Sequence, residues 1–398
     1  MTTTRHAEIA GAGLGGLALA IALAQKGWTV RVHERSDELR MFGAGIWLWE
    51  NGLRALAALG VEEAATARAR RITTMVARDQ DGRALLRRNF GTEDRLVLPP
   101  RADLYDALIA RVEELGVDVE VGSTAVGITP HGELEIEGGK TFKADLVVAA
   151  DGAQSTLRTA AGVSAQSWDY EQVAVIANVY TQRFHDHVAY ERFTSAGPIA
   201  MLPITDGRCG LIWTFAKDEA DRWAECPDEE FLARLQEAFG FRLGRITRVG
   251  TRHKYPLALT RSDDHIAERL AIVGNAAQAL HPIAGQGFNL GLRDAASLAE
   301  ILAEAREQTS GELDVGDGLW LQRYRAWREA DRSNIVRFTD GLVRLFTQPF
   351  GPVQVLRDFG LLAFDLVTPA KHALAQLSLG AAGRVPRLTR GVPLRHAH

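Results

Sequence analysis

The residues best suited to chemistry lie near the start of the chain. In Gly11-Ala12-Gly13-Leu14-Gly15-Gly16 the glycines follow the spacing G-x-G-x-x-G, and an acid, Glu34, comes about 20 residues later. Gly11 permits a tight turn. Gly13 has no side chain to hold a pyrophosphate away from the backbone. Gly16 lets a helix pack close to a strand. The helix that follows would offer free N–H groups to phosphate, and Glu34 would accept hydrogen bonds from a ribose. The spacing points to a dinucleotide and does not choose which one. Taken alone it also fits an ordinary glycine turn.

Further groups stand apart in sequence. Asp151-Gly152 ends the apolar run Ala144 to Ala150, with Ser155 and Arg158 just beyond. An acid at the C-terminal end of a sheet strand lies where α/β folds bind ligands. Gly274-Asn275 ends another apolar run. Pro282 and Gly285-Gln286-Gly287 then make a loop before a long helix predicted from near Phe288, with Asn289 in its first turn. The free N–H groups of that helix favour negative charge in the loop. Arg101 heads a predicted helix and could meet a cofactor phosphate or simply solvent. Gly43 and Gly45 flank a turn beside Trp47 and Trp49, which could lie against a cofactor ring or close a hairpin on the core.

These residues need elements to hold them. An apolar strand runs from Ala7 to Ala10, an Ala/Leu-rich helix ends near Lys26-Gly27, and a second strand runs from Trp28 to His33. Strand, glycine turn, helix, strand and acid are the context that gives the glycine spacing meaning. Asn51 to Gly60 reads as a helix stopping at glycine. Ile72 to Ala77 and Ala84 to Arg87 read as strands about an Asp79-to-Gly82 turn. Leu104, Leu108 and Val112 share one helical face after Arg101. Residues 132–143 read as strand, turn, strand. Residues 172–262 change to short β runs with one covering helix, roughly Glu229 to Phe239, and residues 266–306 return to α/β. From Trp320 onward the chain reads as mostly helical. The expected class is α/β, a Rossmann-like dinucleotide-binding domain with an inserted β-rich domain and C-terminal helices. Its boundaries fall at 1–70, 97–170 and 266–335 for the first domain, 71–96 and 171–265 for the second, and 336–398 for the helices.

Composition narrows the function. The 398 residues carry a net charge of −4, 46% hydrophobic and 24% charged residues. That is a globular composition long enough for two domains, without a basic field for nucleic acid. Cys209 and Cys226 are too few for a disulfide framework and do not form a metal-ligand spacing. No run of about 18 apolar residues suggests a spanning helix, and no signal peptide is read before the first strand. A cytoplasmic setting is expected.

Together, Gly11-x-Gly13-x-x-Gly16 with Glu34, Asp151-Gly152, and Gly274-Asn275 followed by Pro282-x-x-Gly285-Gln286-Gly287-x-Asn289 resemble the single-component FAD-dependent aromatic monooxygenases, the p-hydroxybenzoate hydroxylase superfamily. The likeness covers almost the whole chain and points two ways. Up to about residue 125, Val32-His-Glu-Arg-Ser and Phe42-Gly-Ala-Gly-Ile-x-Leu-Trp are similar to the oxygenases of pyridine carboxylates. From about residue 145, Tyr190-Glu-Arg-Phe-Thr, Gly197-Pro-x-Ala-Met-Leu-Pro and Leu280-His-Pro-Ile-Ala-Gly-Gln-Gly-Phe-Asn-Leu-Gly are similar to the ubiquinone-biosynthesis hydroxylases.

The resemblance implies FAD as cofactor, in a glutathione-reductase-type domain, with NADH or NADPH as reductant. Gly11, Gly13, Leu14, Gly15, Gly16, Glu34 and Arg35 would hold its ADP half. Gly45, Arg101, Asp151, Gly152, Gly274, Asn275, Pro282, Gly285, Gln286, Gly287, Phe288 and Asn289 would complete the site. Asn275 departs from the acid most members carry there; it keeps a carbonyl acceptor and loses the charge. The implied reaction hydroxylates an electron-rich ring through a flavin C4a-hydroperoxide, from which water must be excluded. Pro282, through its carbonyl, and His281 are the catalytic candidates. Trp47, Tyr190, Arg192 and Trp213 are substrate-side candidates, each with a packing role as its alternative, as is His253. The substrate would be a ubiquinone-precursor-like phenol or a small soluble hydroxylated aromatic or pyridine carboxylic acid. An uncoupled NAD(P)H oxidase is a second class, and a flavin redox sensor a third. Partners are a small aromatic substrate and O2, in a monomer or homodimer. The apolar 356–379 segment would cap the domain interface or touch sister subunits or the inner membrane from its surface.

Overall fold

A computed structural model describes residues 5–394, apart from 42, 44, 80–81, 92–93, 195–196, 281–286, 309–313, 317 and 330–383. The expectations for the 356–379 segment and for most of the C-terminal helical region lie outside the described residues.

Strand β1 (His6–Ala10), helix α1 (Leu14–Ala24) and strand β2 (Thr29–His33) form the first unit. β1 and β2 pair in parallel, with Ala10 opposite His33. The strand Leu146–Ala149 pairs in parallel on the other side of β1, so this sheet has six strands with β1 near its middle. A central parallel strand is covered on both faces, which is why Ala7, Ile9 and Ala10 form a nearly continuous apolar run. Helix α1 is apolar around its whole circumference and is correspondingly buried, packed against the helices Arg101–Glu114 and Gly287–Gln308.

The second sheet has nine strands and is antiparallel except where Val188–Thr194 pairs in parallel with Thr74–Arg78. Its longest strand, Ala165–Thr181, runs further than the β run legible in the sequence, and it shifts register between Asp169 and Gln172. A bulge of this kind bends a strand and increases its local twist. On one face of the sheet, the helix Asp228–Phe239 buries Phe231, Leu235 and Phe239, a four-residue spacing that forms one helical stripe. The opposite face turns toward Trp47, Trp49 and the first lobe.

One polar cluster sits inside the first sheet. Glu8 is buried in β1 and is reached by His33 Nε2 at 2.7 Å and His6 Nε2 at 2.6 Å. His33 Nδ1 lies 2.8 Å from Ser123 Oγ, so the cluster joins β1, β2 and the turn after Asp118–Glu120. Burial alone would raise the Glu8 pKa. Hydrogen bonds and charge from His33 and His6 outweigh it and hold the carboxyl below its ordinary 4.5. A depressed carboxylate pKa stabilises the fold above the unfolded value and loses that contribution as pH falls through the folded one. E8Q therefore gives a lower melting temperature near neutrality and a shallower loss of stability than wild type between about pH 5 and pH 3. Thermal melts across that window check this.

Candidate functional site

The turn after β1 is held by three backbones in close approach. Gly11 has φ +105°, and a Cβ there would stand 2.4 Å from the Ala150 carbonyl oxygen. A Cβ on Gly16 would stand 2.2 Å from the Gly11 carbonyl oxygen. Gly13 and Gly15 differ: a Cβ on either meets nothing within 4 Å. The first pair packs inward and the second faces open space at the start of α1, where Leu14 turns into the core and no side chain caps the helix. Glu34 braces the same turn. Its two oxygens accept from Ala12 N at 2.9 Å and Ser36 N at 3.0 Å. A carboxylate has further lone pairs, so a ribose hydroxyl can still be accepted. Arg35 beside it is exposed.

Asp151 acts on its own turn. It accepts from Ser155 Oγ at 2.5 Å and from Leu157 N at 3.1 Å. Gly152 next to it has φ +91° and open space where a side chain would be. The Arg158 guanidinium donates to the Ala276 carbonyl at 2.7 Å, fastening this turn to the short Gly274–Ala276 helix. There Asn275 is exposed. Gly274 N donates to Asp294 Oδ2 at 2.9 Å, and Gln278 Nε2 donates to the same oxygen at 2.8 Å. Arg328 Nε donates to Asp294 Oδ1 at 2.6 Å, with both side chains fully buried. Sequence reasoning passed over Asp294; its signal was a charged pair, Arg293-Asp294, inside an apolar helical run.

Arg101 begins the helix Arg101–Glu114, and its side chain lies along Gly43, where a Cβ would be 3.5 Å from its Cδ and Nε. Its buried Nε has no acceptor among the described residues. Burial pushes the guanidinium below its ordinary pKa, opposed only by Tyr255. A half-buried cation without a counter-charge suits an anionic ligand. A Cβ on Gly45 would press on Leu98 Cγ at 2.9 Å and the Pro99 carbonyl at 3.1 Å, so the loop lies tight on that segment. Asn289 Nδ2 donates to the Trp47 carbonyl at 2.8 Å, which ties the loop to the first turn of the helix Gly287–Gln308. Phe288 is partly buried against the first core, and Gly287 faces open space. His281, Pro282, Gly285 and Gln286 lie outside the described residues.

A cleft partly open to solvent adjoins this loop. Trp47, Met75, Leu202 and Ile212 supply apolar walls, with Thr214 and Glu191 as polar groups. Tyr190 borders it too, although its ring packs edge-on to Phe239 at 5.9 Å. Trp213 and Arg192 point elsewhere. Trp213 is buried against Phe215 and Phe231 beneath the helix, and Arg192 reaches the neighbourhood of Gly240. Strand alternation explains this: Ile212 and Thr214 face the cleft, so Trp213 between them faces away. His253 is exposed on its strand. Glu191 was not singled out from the sequence. It makes no hydrogen bond or ion pair among the described residues, and burial alone pushes its carboxyl up to about 8.

A mostly parallel sheet with an open glycine turn, a half-buried Arg101 whose Nε has no acceptor among the described residues, and a second, β-rich sheet define a dinucleotide-binding protein of the α/β class. The chain matches the family described as FAD binding domain over residues 4–338, and it belongs to that family. It is 42% identical over 261 residues to ubiquinone hydroxylase UbiL of Rhodospirillum rubrum, covering 64% of this chain and 60% of that protein. It is 34% identical over 342 residues to 2-heptyl-3-hydroxy-4(1H)-quinolone synthase of Mycobacteroides abscessus, covering 80% and 86%. A solved structure, the tetrameric form of 2-methyl-3-hydroxypyridine-5-carboxylic acid oxygenase, is similar with a TM-score of 0.71 at 26% identity, covering 89% of this chain and 96% of that one. The chain thus spans less than two thirds of the ubiquinone hydroxylase.

The open and closed glycines separate two outcomes. G13V leaves the melting temperature of the apoprotein within about 1 °C of wild type and abolishes FAD uptake, because its side chain fills only ligand space. G11A destabilises the apoprotein itself by about 3 kcal/mol through a strained φ and a backbone clash. Apoprotein melts and FAD titration distinguish the two. D294A breaks a buried pair and costs on the order of 3–5 kcal/mol in chemical denaturation.

Proposed function

We propose that the protein is an FAD-dependent monooxygenase that consumes NADH or NADPH and hydroxylates an electron-rich aromatic ring, with a ubiquinone-precursor-like phenol as substrate. The observation that carries this reading is the position of the apolar cleft. It opens against Trp47, whose carbonyl is held by Asn289 at the helix terminus that follows the glycine loop. FAD, when bound, supplies the activation of dioxygen with electrons from the nicotinamide.

The protein's own part is binding, orientation and exclusion of water. The Gly11 to Gly16 turn and Glu34 would take the ADP half, and Arg101 would neutralise a phosphate. Asp151, Gly152, Gly274 and Asn275 would line the middle of the cofactor. Trp47, Met75, Leu202 and Ile212 would keep water from the reacting ring. Pro282, through its carbonyl, and His281 are proposed as the catalytic residues. Tyr190 would border the substrate. The similarity to a ubiquinone hydroxylase supports an apolar phenol, and the similarity to a pyridine-carboxylate oxygenase supports a small aromatic acid as the second reading. No helix among the described residues is long and apolar enough to cross a membrane.

The test is isotopic. Purified, FAD-loaded protein is supplied with NADH or NADPH and labelled dioxygen, with short-chain prenyl phenols or hydroxylated aromatic acids. The proposal expects one labelled oxygen in the product ring from the phenols. Label only in hydrogen peroxide, with every ring recovered unchanged, would mark an oxidase and sink the proposal.

A further inference from the structure

Glu191 occupies an unusual place. It lies on the strand Val188–Thr194, opposite Ala200 on one side and Ala77 on the other. Neither neighbour offers it a hydrogen-bonding side chain. It lines the apolar cleft beside Trp47, and no Lys, Arg or His stands among the described lining residues. Besides Glu191, Tyr190 is the titratable group in that lining; burial raises its pKa too. The basic side chains Arg192 and Arg78 belong to alternate positions on their strands and influence each other rather than Glu191. A carboxyl left without a partner among the described residues, in a cleft whose walls are mostly apolar, has no structural task there, because such a group destabilises the fold.

We propose that Glu191 is the residue that meets the ring hydroxyl of the substrate and takes its proton, so that the cleft selects hydroxylated rings without a carboxylate. The inference rests on the aromatic-monooxygenase reading above and names the substrate class within it. In the step, the substrate O–H bond breaks and its electron pair stays on the ring oxygen. The proton passes to a Glu191 carboxylate oxygen and leaves to solvent when the product departs. The electron-rich oxyanion form of the ring is the better nucleophile. Burial brings the carboxyl to about 8, nearer to the value of about 10 for a phenol, which favours proton transfer between them. Above about pH 8, where Glu191 is ionised, a ring carboxylate entering the same cleft would meet a second carboxylate with no cation among the described lining residues to offset it.

The test uses full-length, FAD-loaded protein and two probes, 2-prenylphenol and 4-hydroxybenzoate. Calorimetry without reductant reads binding, and product analysis with NADH or NADPH reads turnover. Above about pH 8, wild type is expected to bind the prenylphenol at least tenfold more tightly than the hydroxybenzoate. Its hydroxylation rate should rise with pH through a break near 8, where the carboxylate forms. E191Q, nearly the same shape, should keep FAD, lose that break, and hydroxylate about a hundredfold more slowly, at the low end of general-base effects. E191D should restore part of the rate together with a pH break. Tighter binding of the hydroxybenzoate by wild type overturns the selectivity. Wild-type hydroxylation with an unchanged pH profile in E191Q overturns the role of Glu191 and leaves the monooxygenase reading standing. Peroxide as the sole product in wild type, with both rings unchanged, overturns both.

Discussion

The structure depends on one close approach. At Gly11 the chain leaves β1, passes within a Cβ's width of Ala150, and enters α1 across Gly16. No side chain fits at Gly11 or Gly16, so strand, helix and the neighbouring strand end are locked at one distance. That packing leaves Gly13 and Gly15 facing outward at the head of an uncapped helix. The open face of the turn is therefore a by-product of that close approach. Glu34 then braces the turn from β2, so the acid has a structural task even before a ribose arrives.

The second constraint is how the far end of the site is tied to the first. Asp294 gathers Gly274, Gln278 and Arg328, and Arg158 joins the Asp151 turn to Ala276. These bonds place two separated motifs side by side along the ends of the parallel strands, where ligands bind in α/β sheets. Asn289 then reaches the loop carrying Trp47, and Trp47 borders the cleft of the second sheet. One continuous chain of contacts thus runs from the glycine turn to the cleft. The long strand Ala165–Thr181 runs through the second sheet with a register shift between Asp169 and Gln172.

The parts legible in the sequence are those set by local backbone geometry. The glycine turn, Asp151-Gly152 and Gly274-Asn275 announce themselves because only particular residues fit such turns. The α/β class followed from apolar runs alternating with helical stripes. The cleft was harder to read. Which of Trp213 and Thr214 faces a ligand depends on strand register and on which sheet face the first lobe covers, and neither is local information. Glu191 was overlooked for the same reason: on a strand of alternating residues, its place in the cleft depends on elements distant in sequence, such as the strand carrying Met75. Asp294 was hidden inside a helix whose apolar periodicity dominated the reading.

The central claim is that the glycine turn and the apolar cleft serve one site, with the cofactor's ring at their junction. The most direct measurement is a difference absorption spectrum of the FAD-loaded protein during titration with a short-chain prenyl phenol. The account predicts a saturable shift of the visible flavin bands, lost when A200W fills the cleft while FAD content stays unchanged. A flavin spectrum unmoved by the phenol, in a protein that binds that phenol by calorimetry, would place the two ligands apart and contradict the account.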